Sequence, residues 1–377
     1  MRFSARTPAD LAPNPLAAAH AAARAAGAVI DLTESNPTTV GLEYPWAAID
    51  AALAAAGAGR YHPEPRGLPD ARRAVAAWYA ARGAAVDSDH IVLTASTSEA
   101  YGLLFKLLCD PGDQVLIPQP SYPLFDHLAA AEAVEARPYR SGRAEPALEA
   151  RTRAIIVVSP NNPTGAIQSA AALSELADLC AAHDLALIGD EVFADYTADG
   201  RPAPSVAATG APALAFALGG LSKSAGLPQL KLGWIAVAGP PALRDAALTR
   251  LDIIADAFLS VATPVQLAAS RLLELAAPIR AAIRERVAGN RAHIAAALAP
   301  VRGARLAPAG GGWYALIELP HGVDEEALAL ALAGDRVLVH PGWFFDLPPP
   351  CLVASCIVAP EVMRAGLAAL GARLGSS

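Results

Sequence analysis

Residues 214–239 read "LAFALGGLSKSAGLPQLKLGWIAVAG", a stretch in which two apolar runs enclose a short polar segment. The first run is typical of a buried strand, and Lys223 follows it almost directly. Lys231 comes only eight positions later. Because an unpaired lysine is costly to bury, two lysines at the edge of a core predict an anionic or covalent partner at this place.

The chain on either side of this stretch alternates apolar runs with helical segments. Runs such as "HIVLTAS", "AIIVVSP" and "LALIGD" are separated by segments such as "SEAYGLLFKLLC" and "SAAALSELADLCAAHD". This alternation predicts an α/β domain with a mostly parallel sheet that helices cover on both faces. After about residue 264 the pattern changes to long alanine-rich helices and a few strands. We therefore predict a large domain over residues 41–264 and a smaller α+β domain built from residues 1–40 and 265–377.

The composition excludes several classes of protein. The chain has 377 residues, 54% of them apolar and 17% charged, which argues against disorder. A net charge of −7 leaves no basic surface for nucleic acid. The four cysteines form no CxxC pair, which favours reduced thiols, no metal site and a cytoplasmic protein. The apolar N-terminal stretch is interrupted by His20 and Arg24 and predicts a surface helix, not a signal peptide.

Four polar segments follow predicted strands, where open α/β sheets bind their ligands. They are "TASTSEA" with Ser96, Thr97 and Ser98, "SPNNPTG" with Asn162, and the positions of Asp190 and Lys223. The first segment predicts either a helix cap or a phosphate site at a helix N-terminus. The chain has no Walker A motif and no GxGxxG that opens a βαβ unit. A phosphate site, a lysine amine and a buried carboxylate together indicate pyridoxal 5′-phosphate.

The segment around Lys223 resembles the SKxxGxPGxRxGW motif of the class I/II aminotransferases, which are fold-type I pyridoxal-phosphate enzymes. The resemblance extends over nearly the whole chain. It implies a large domain with a sheet of the seven-stranded, mostly parallel type, a smaller domain, and a homodimer. It also implies transfer of an amino group between an amino acid or amine and a 2-oxo acid, through a Schiff base on Lys223.

The resemblance assigns further roles residue by residue. Ser222 and Lys231 are expected at the phosphate, with lysine replacing the usual arginine at 231, and Tyr61 is expected to reach the phosphate of the neighbouring subunit. Asn162, Asp190 and Tyr122 are expected to contact the ring oxygen, the pyridine nitrogen and the ring face. Ser35 and Asn36 are expected to lie over the substrate.

Two positions depart from the family pattern. Phe193 stands where a tyrosine usually bonds the ring oxygen. Ala354, in "LVASCIVAPEV", stands where an arginine usually grips the substrate carboxylate, and no arginine lies between Arg336 and Arg364. Arg66 of the partner subunit is one candidate substitute for that cation.

Three other functions compete with transamination. A pyridoxal-phosphate lyase, decarboxylase or cyclase would use the same fold. The absence of the carboxylate-binding arginine at position 354 favours such an enzyme. A ligand-sensing module of a regulator would need a DNA-binding extension, for which the N-terminus is short and weakly basic. A Ser–Lys hydrolase on Ser222 and Lys223 is disfavoured because neighbours in sequence seldom face each other.

Overall fold

The computed structural model describes residues 3–54, 59–140, 147–208 and 210–375. Its centre is a seven-stranded sheet in the order β2-β8-β7-β6-β5-β3-β4. Only β8 runs antiparallel to its neighbours, so the sheet is mostly parallel, as predicted. The strands are β2 (Ile91–Thr94), β3 (Gln114–Gln119), β4 (Glu135–Arg140), β5 (Thr152–Val158), β6 (Ala186–Asp190), β7 (Ala215–Gly220) and β8 (Gly233–Ala238).

Helices cover both faces of this sheet. They are α2 (Trp46–Leu53), α3 (Pro69–Ala80), α4 (Thr97–Leu108), α5 (Phe125–Ala131), α6 (Ala170–Ala182), α7 (Leu221–Ser224) and α8 (Pro241–Asp256). Alternate residues of β5 belong to two different cores: Ile155 and Val157 pack on one face, Ile156 and Val158 on the other. Burial on both faces explains why these strands read as continuous apolar runs and not as alternating ones.

A smaller unit packs beside the large sheet. It contains a four-stranded antiparallel sheet in the order β12-β13-β10-β9 and a two-stranded parallel pair, β1 and β11. These strands are β1 (Ile30–Asp31), β9 (Arg305–Leu306), β10 (Tyr314–Glu318), β11 (Val337–Leu338), β12 (His340–Pro341) and β13 (Cys351–Ser355). The helices of this unit are α1 (Pro15–Ala25), α10 (Glu325–Gly334) and α11 (Pro360–Leu374). Segments near both ends of the described chain contribute to it, with β1 and α1 from one side and α11 from the other.

One long helix, α9 (Thr263–Leu298), joins the two units. Its first half, including Val265 and Leu272, packs into a core under the large sheet. Its last turns, with Ile294 and Leu298, pack into the core of the smaller unit. The change from one core to the other therefore occurs inside this helix.

The N-terminal alanine-rich stretch forms α1, and the Asn14 side chain caps it by accepting a hydrogen bond from the Ala17 N–H. Within the four described ranges, no helix combines the length and the apolar character needed to cross a membrane.

Candidate active site

A cavity of about 230 Å³ opens at the carboxyl ends of the large sheet's strands. This is the edge at which the sequence predicts a ligand. Most of the expected site residues line it: Ser35, Ser96, Thr97, Ser98, Tyr122, Asn162, Asp190, Phe193, Ser222 and Lys223. Residues far apart in the sequence meet here because parallel strands end at one edge.

Lys223 lies in α7, one turn of helix that begins where β7 ends. Its Nζ is 4.7 Å from the centre of the Trp313 ring and 5.6 Å from that of Phe193. Burial lowers the pKa of Lys223 to about 8, and the nearby charge of Asp190 opposes this shift. The Tyr196 hydroxyl donates to the Lys223 carbonyl oxygen at 2.6 Å and holds the turn. The backbone that carries the amine is thus held in place, and the amine loses its proton more readily than that of an exposed lysine.

Asp190 is the last residue of β6 and lies half-buried at the wall of the cavity. The Tyr101 hydroxyl donates to its Oδ2 at 3.0 Å, and the Val192 N–H donates to Oδ1 at 3.2 Å. Burial raises the pKa of Asp190, while these two hydrogen bonds and Lys223 act in the opposite direction. Sequence reasoning missed Tyr101, although it lies one helical turn after Thr97 and therefore on the same face of α4.

Ser96 is the N-cap of α4, and its Oγ accepts a hydrogen bond from the Glu99 N–H at 3.1 Å. The helix-cap interpretation of "TASTSEA" is therefore correct. The same segment also lines the cavity, so the two interpretations are compatible. The first N–H groups of a helix have no partner within it and attract anions.

Tyr314, the first residue of β10, lines the cavity together with Ser35 and Asn162. Burial raises the pKa of the Tyr314 phenol. The amide oxygen Oδ1 of Asn162 is buried without a hydrogen-bond partner among the described residues. Neither Tyr314 nor Trp313 was predicted from the sequence, because the smaller unit brings them to the cavity.

Three expected site residues lie outside the cavity. Lys231 is exposed and does not line the cavity, so its expected contact with the phosphate is not seen in this chain. Its backbone is left-handed, with φ of 50°. The Asn36 side chain accepts hydrogen bonds from the N–H and hydroxyl of Thr38. Tyr61 is 78% exposed, and its expected role at a partner subunit remains a prediction.

The structure also corrects the position of the absent arginine. Ala354 is fully buried in the core of the smaller unit and does not line the cavity. The opposite face of β13 carries Val353 and Ser355, which pair with Leu316 and Tyr314 of β10. Strand alternation therefore places Val353 and Ser355, not Ala354, on the face that leads to Tyr314.

Arg66 is not available as a substitute cation in this chain. Its Nε and Nη2 lie 2.5 and 2.6 Å from the two carboxylate oxygens of Asp252. A further nitrogen donates to the Asp89 carbonyl oxygen. Such a two-pronged ion pair fixes the guanidinium in place.

The cavity residues fit pyridoxal phosphate. The Asp190 carboxylate lies at the cavity wall, where it can accept a hydrogen bond from the protonated pyridine nitrogen of this cofactor. Because Oδ1 of Asn162 has no partner among the described residues, this amide oxygen can still accept a hydrogen bond from a ligand. At Gly233, a Cβ would lie only 3.0 Å from the Ser96 carbonyl carbon and from Thr94 Oγ1, so glycine permits an unusually close approach of the backbone beside the helix N-terminus.

A lysine amine, a carboxylate and a helix N-terminus in one cavity are the groups with which pyridoxal-phosphate enzymes bind their cofactor. Residues 28–370 match the family "Aminotransferase class I and II", and the chain belongs to this family. Pyridoxal-phosphate-dependent transamination is the activity of that family, so this protein is an aminotransferase.

Named relatives agree with this assignment. The chain is 29% identical over 347 residues to an alanine aminotransferase of Mycobacterium tuberculosis, covering 85% of this chain and 80% of that protein. It is 31% identical over 309 residues to an arginine–pyruvate transaminase of Pseudomonas aeruginosa, covering 78% and 75%. An alanine aminotransferase structure from Pyrococcus furiosus has the same fold, with a TM-score of 0.87 at 22% identity and complete coverage of both chains.

The lowered pKa of Lys223 predicts how this amine titrates in the cofactor-free protein. We expect acetic anhydride to label Lys223 with a midpoint near pH 8, whereas the denatured chain should label near the ordinary value of 10.5. Because the charge of Asp190 raises the pKa of Lys223, Asp190→Asn should move the midpoint further down. Mass spectrometry of the Lys223 peptide gives both values. A native midpoint near 10.5 would contradict the described burial.

Proposed function

We propose that Lys223, Asp190 and Asn162 form the working centre of this aminotransferase. Lys223 binds the cofactor covalently through Nζ, Asp190 binds its ring nitrogen, and Asn162 binds its ring oxygen. The helix N-terminus at Ser96, Thr97 and Ser98, with the hydroxyl of Ser222, holds the phosphate. The supporting observation is that one cavity contains both the Lys223 amine and the Asp190 carboxylate.

The residues divide the chemistry among them. When bound, pyridoxal phosphate supplies an aldehyde that condenses with amines and a ring that delocalises the charge left when Cα loses a proton. Once freed, Lys223 takes the proton from the substrate Cα and returns it, and a pKa near 8 suits both directions. Asp190 keeps the ring nitrogen protonated. Tyr122 and Phe193 line the cavity, where Tyr122 packs on the face of the cofactor ring.

The test of this proposal is product analysis with purified holoenzyme. A panel of amino acids and amines is mixed with pyruvate, and products are identified by mass spectrometry. We expect an equimolar keto product and alanine from at least one donor. Release of carbon dioxide or ammonia without a transferred amino group would indicate a decarboxylase or lyase, an alternative that the named relatives do not support.

We also infer that the active unit is a homodimer with Tyr61 acting on the partner's phosphate. Tyr61 lies beside Phe258 in a groove outside the cavity, and Phe258 and Ile253 are 53% and 73% exposed. Exposed apolar side chains of this size favour contact with a second copy.

Mixed dimers test this arrangement. A Lys223→Ala chain and a Tyr61→Ala chain should each be nearly inactive alone. After the two chains are refolded together, each mixed dimer should contain one intact site and recover activity. In that site, Lys223 comes from the Tyr61→Ala chain and Tyr61 comes from the Lys223→Ala chain. Differently tagged chains show that mixed dimers form. Co-purified mixed dimers without recovered activity would place Tyr61 within its own subunit's site or outside any site.

A further inference from the structure

The Asp190 carboxylate accepts a hydrogen bond at each of its two oxygens. The Tyr101 hydroxyl lies 3.0 Å from Oδ2, and the Val192 N–H lies 3.2 Å from Oδ1. A carboxylate has about four positions at which it accepts hydrogen bonds, two on each oxygen. Asp190 therefore keeps the capacity to bind a further donor while Tyr101 stays in place, and both side chains line the cavity.

The Tyr101 ring is fixed among apolar side chains of α4 and α5. It is 2% exposed and meets the ring of Phe125 edge-on, with the ring centroids 5.2 Å apart and an angle of 87°. The Phe105 ring lies 5.9 Å away on the other side of one helical turn. Burial raises the pKa of the Tyr101 phenol well above its usual range, and the charge of Asp190 acts in the same direction. The hydroxyl therefore keeps its proton and donates it to the carboxylate from a fixed position.

This hydrogen bond favours the ionised form of Asp190. Burial raises the pKa of Asp190, whereas the hydrogen bonds from Val192 and Tyr101 and the charge of Lys223 lower it. In the proposed function, on which this inference rests, Lys223 condenses with the cofactor, so its charge does not support Asp190 permanently. Val192 donates through its backbone. Tyr101 is therefore the side-chain donor that remains at Asp190 when the cofactor is bound.

We propose that Tyr101 is a positioning residue of this site, and that its hydroxyl holds the Asp190 carboxylate ionised and oriented for the ring nitrogen of the cofactor. An ionised carboxylate stabilises a proton on that nitrogen, whereas a neutral acid does not. Tyr101 acts through Asp190 and does not touch the reacting atoms. The alternative is that a buried phenol needs a partner and Asp190 merely supplies one. Only the positioning role depends on the ring nitrogen.

Two cofactors that differ at one ring atom test this proposal. Pyridoxal phosphate and its deaza analogue, in which carbon replaces the ring nitrogen, carry the same aldehyde and the same phosphate. Titration of the cofactor-free, full-length protein, followed by protein fluorescence, gives a dissociation constant for each. We expect Tyr101→Phe to weaken the binding of pyridoxal phosphate about tenfold and that of the analogue by no more than about twofold, because the lost hydrogen bond acts only through the ring nitrogen.

Equal weakening of the two cofactors would overturn the positioning role. It would mean that Tyr101→Phe displaces α4, whose N-terminus is proposed to hold the phosphate that both cofactors carry. Unchanged binding of pyridoxal phosphate would overturn the role as well. Phenylalanine keeps the aromatic ring and its packing, and thermal unfolding of the cofactor-free protein shows whether the fold is intact. Should Tyr101→Phe not fold, Tyr101→Leu takes its place under the same criteria.

Tyr139→Phe is the matched control for the loss of a buried hydroxyl. The Tyr139 hydroxyl donates to the Ile156 carbonyl oxygen at 2.8 Å, and Tyr139 does not line the cavity. This variant should leave both dissociation constants within about twofold of wild type, as expected of a change away from the site. Tyr101→Phe should likewise have little effect in an Asp190→Ala background, because the carboxylate through which Tyr101 acts is then gone.

Asp190→Ala alone separates this inference from the proposed function. The quantity compared is the ratio of the dissociation constants of the analogue and pyridoxal phosphate. If Asp190→Ala keeps the wild-type ratio, Asp190 does not bind the ring nitrogen, and the proposed function fails at that residue. If Asp190→Ala lowers the ratio but Tyr101→Phe does not, Asp190 keeps its proposed role and the positioning role of Tyr101 fails. A lowered ratio in both variants, with no further loss when they are combined, is the result we expect.

Discussion

Replacing Lys223 by alanine should lower the rate of amino-group transfer by about 10⁴-fold, because the variant loses both the covalent anchor and the group that moves the Cα proton. Trp313 and Phe193 lie around the Nζ of Lys223, and the nearby carboxyl of Asp190 serves the cofactor. No other lysine among the described residues lines the cavity. Single-turnover kinetics at saturating donor measure the loss directly.

Lys106→Ala is the matched control for this variant. Lys106 forms an ion pair with Glu132 on the outer side of α4, away from the cavity. Its removal should leave the single-turnover rate within about twofold, as expected of a surface ion pair. A Lys223→Ala protein that keeps a rate within about tenfold of wild type would exclude Lys223 as the proton-transfer group.

Replacing Ala354 by arginine should destabilise the protein by about 3–5 kcal/mol, the usual cost of an unpaired buried charge. Ala354 packs among Leu32, Ala315 and Leu352 in the core of the smaller unit. An arginine there has no carboxylate partner among the core residues and would also be too large for the space. Urea unfolding, followed by fluorescence, gives the change in free energy of unfolding.

Ala365→Arg is the matched control, because Ala365 lies on the exposed side of α11 in the same unit. Its effect should stay within about 0.5 kcal/mol, as for other surface substitutions. If Ala354→Arg instead kept its stability and tightened the binding of ordinary amino acids, the register of β13 described above would be wrong.

The expected positions of Asp190, Asn162 and Lys223 followed from the sequence because each lies at or a few residues beyond the end of an apolar strand. Parallel strands end at one edge, so the order of segments along the chain was enough to group these residues. The phosphate segment was ambiguous in the sequence because the same serines and threonines cap helices and face anions. The structure shows Ser96 capping α4 at the cavity wall.

The register of β13 could not be read from the sequence. All residues of "CLVAS" are buried, so the strand shows no alternation that would reveal which face Ala354 occupies. Tyr314 and Trp313 were missed for a different reason: packing of the smaller unit brings them to the cavity. The change of core within α9 was hidden because alanine-rich helices look alike wherever they pack.

The central claim is that Lys223 holds the cofactor, and borohydride reduction tests it most directly. The sequence contains three lysines, Lys106, Lys223 and Lys231, so peptide mapping has few candidate sites. After reduction of the purified holoenzyme, the mass of the reduced cofactor should appear on the Lys223 peptide alone and vanish in Lys223→Ala. A label on Lys106 or Lys231, or one that persists in Lys223→Ala, would contradict the account.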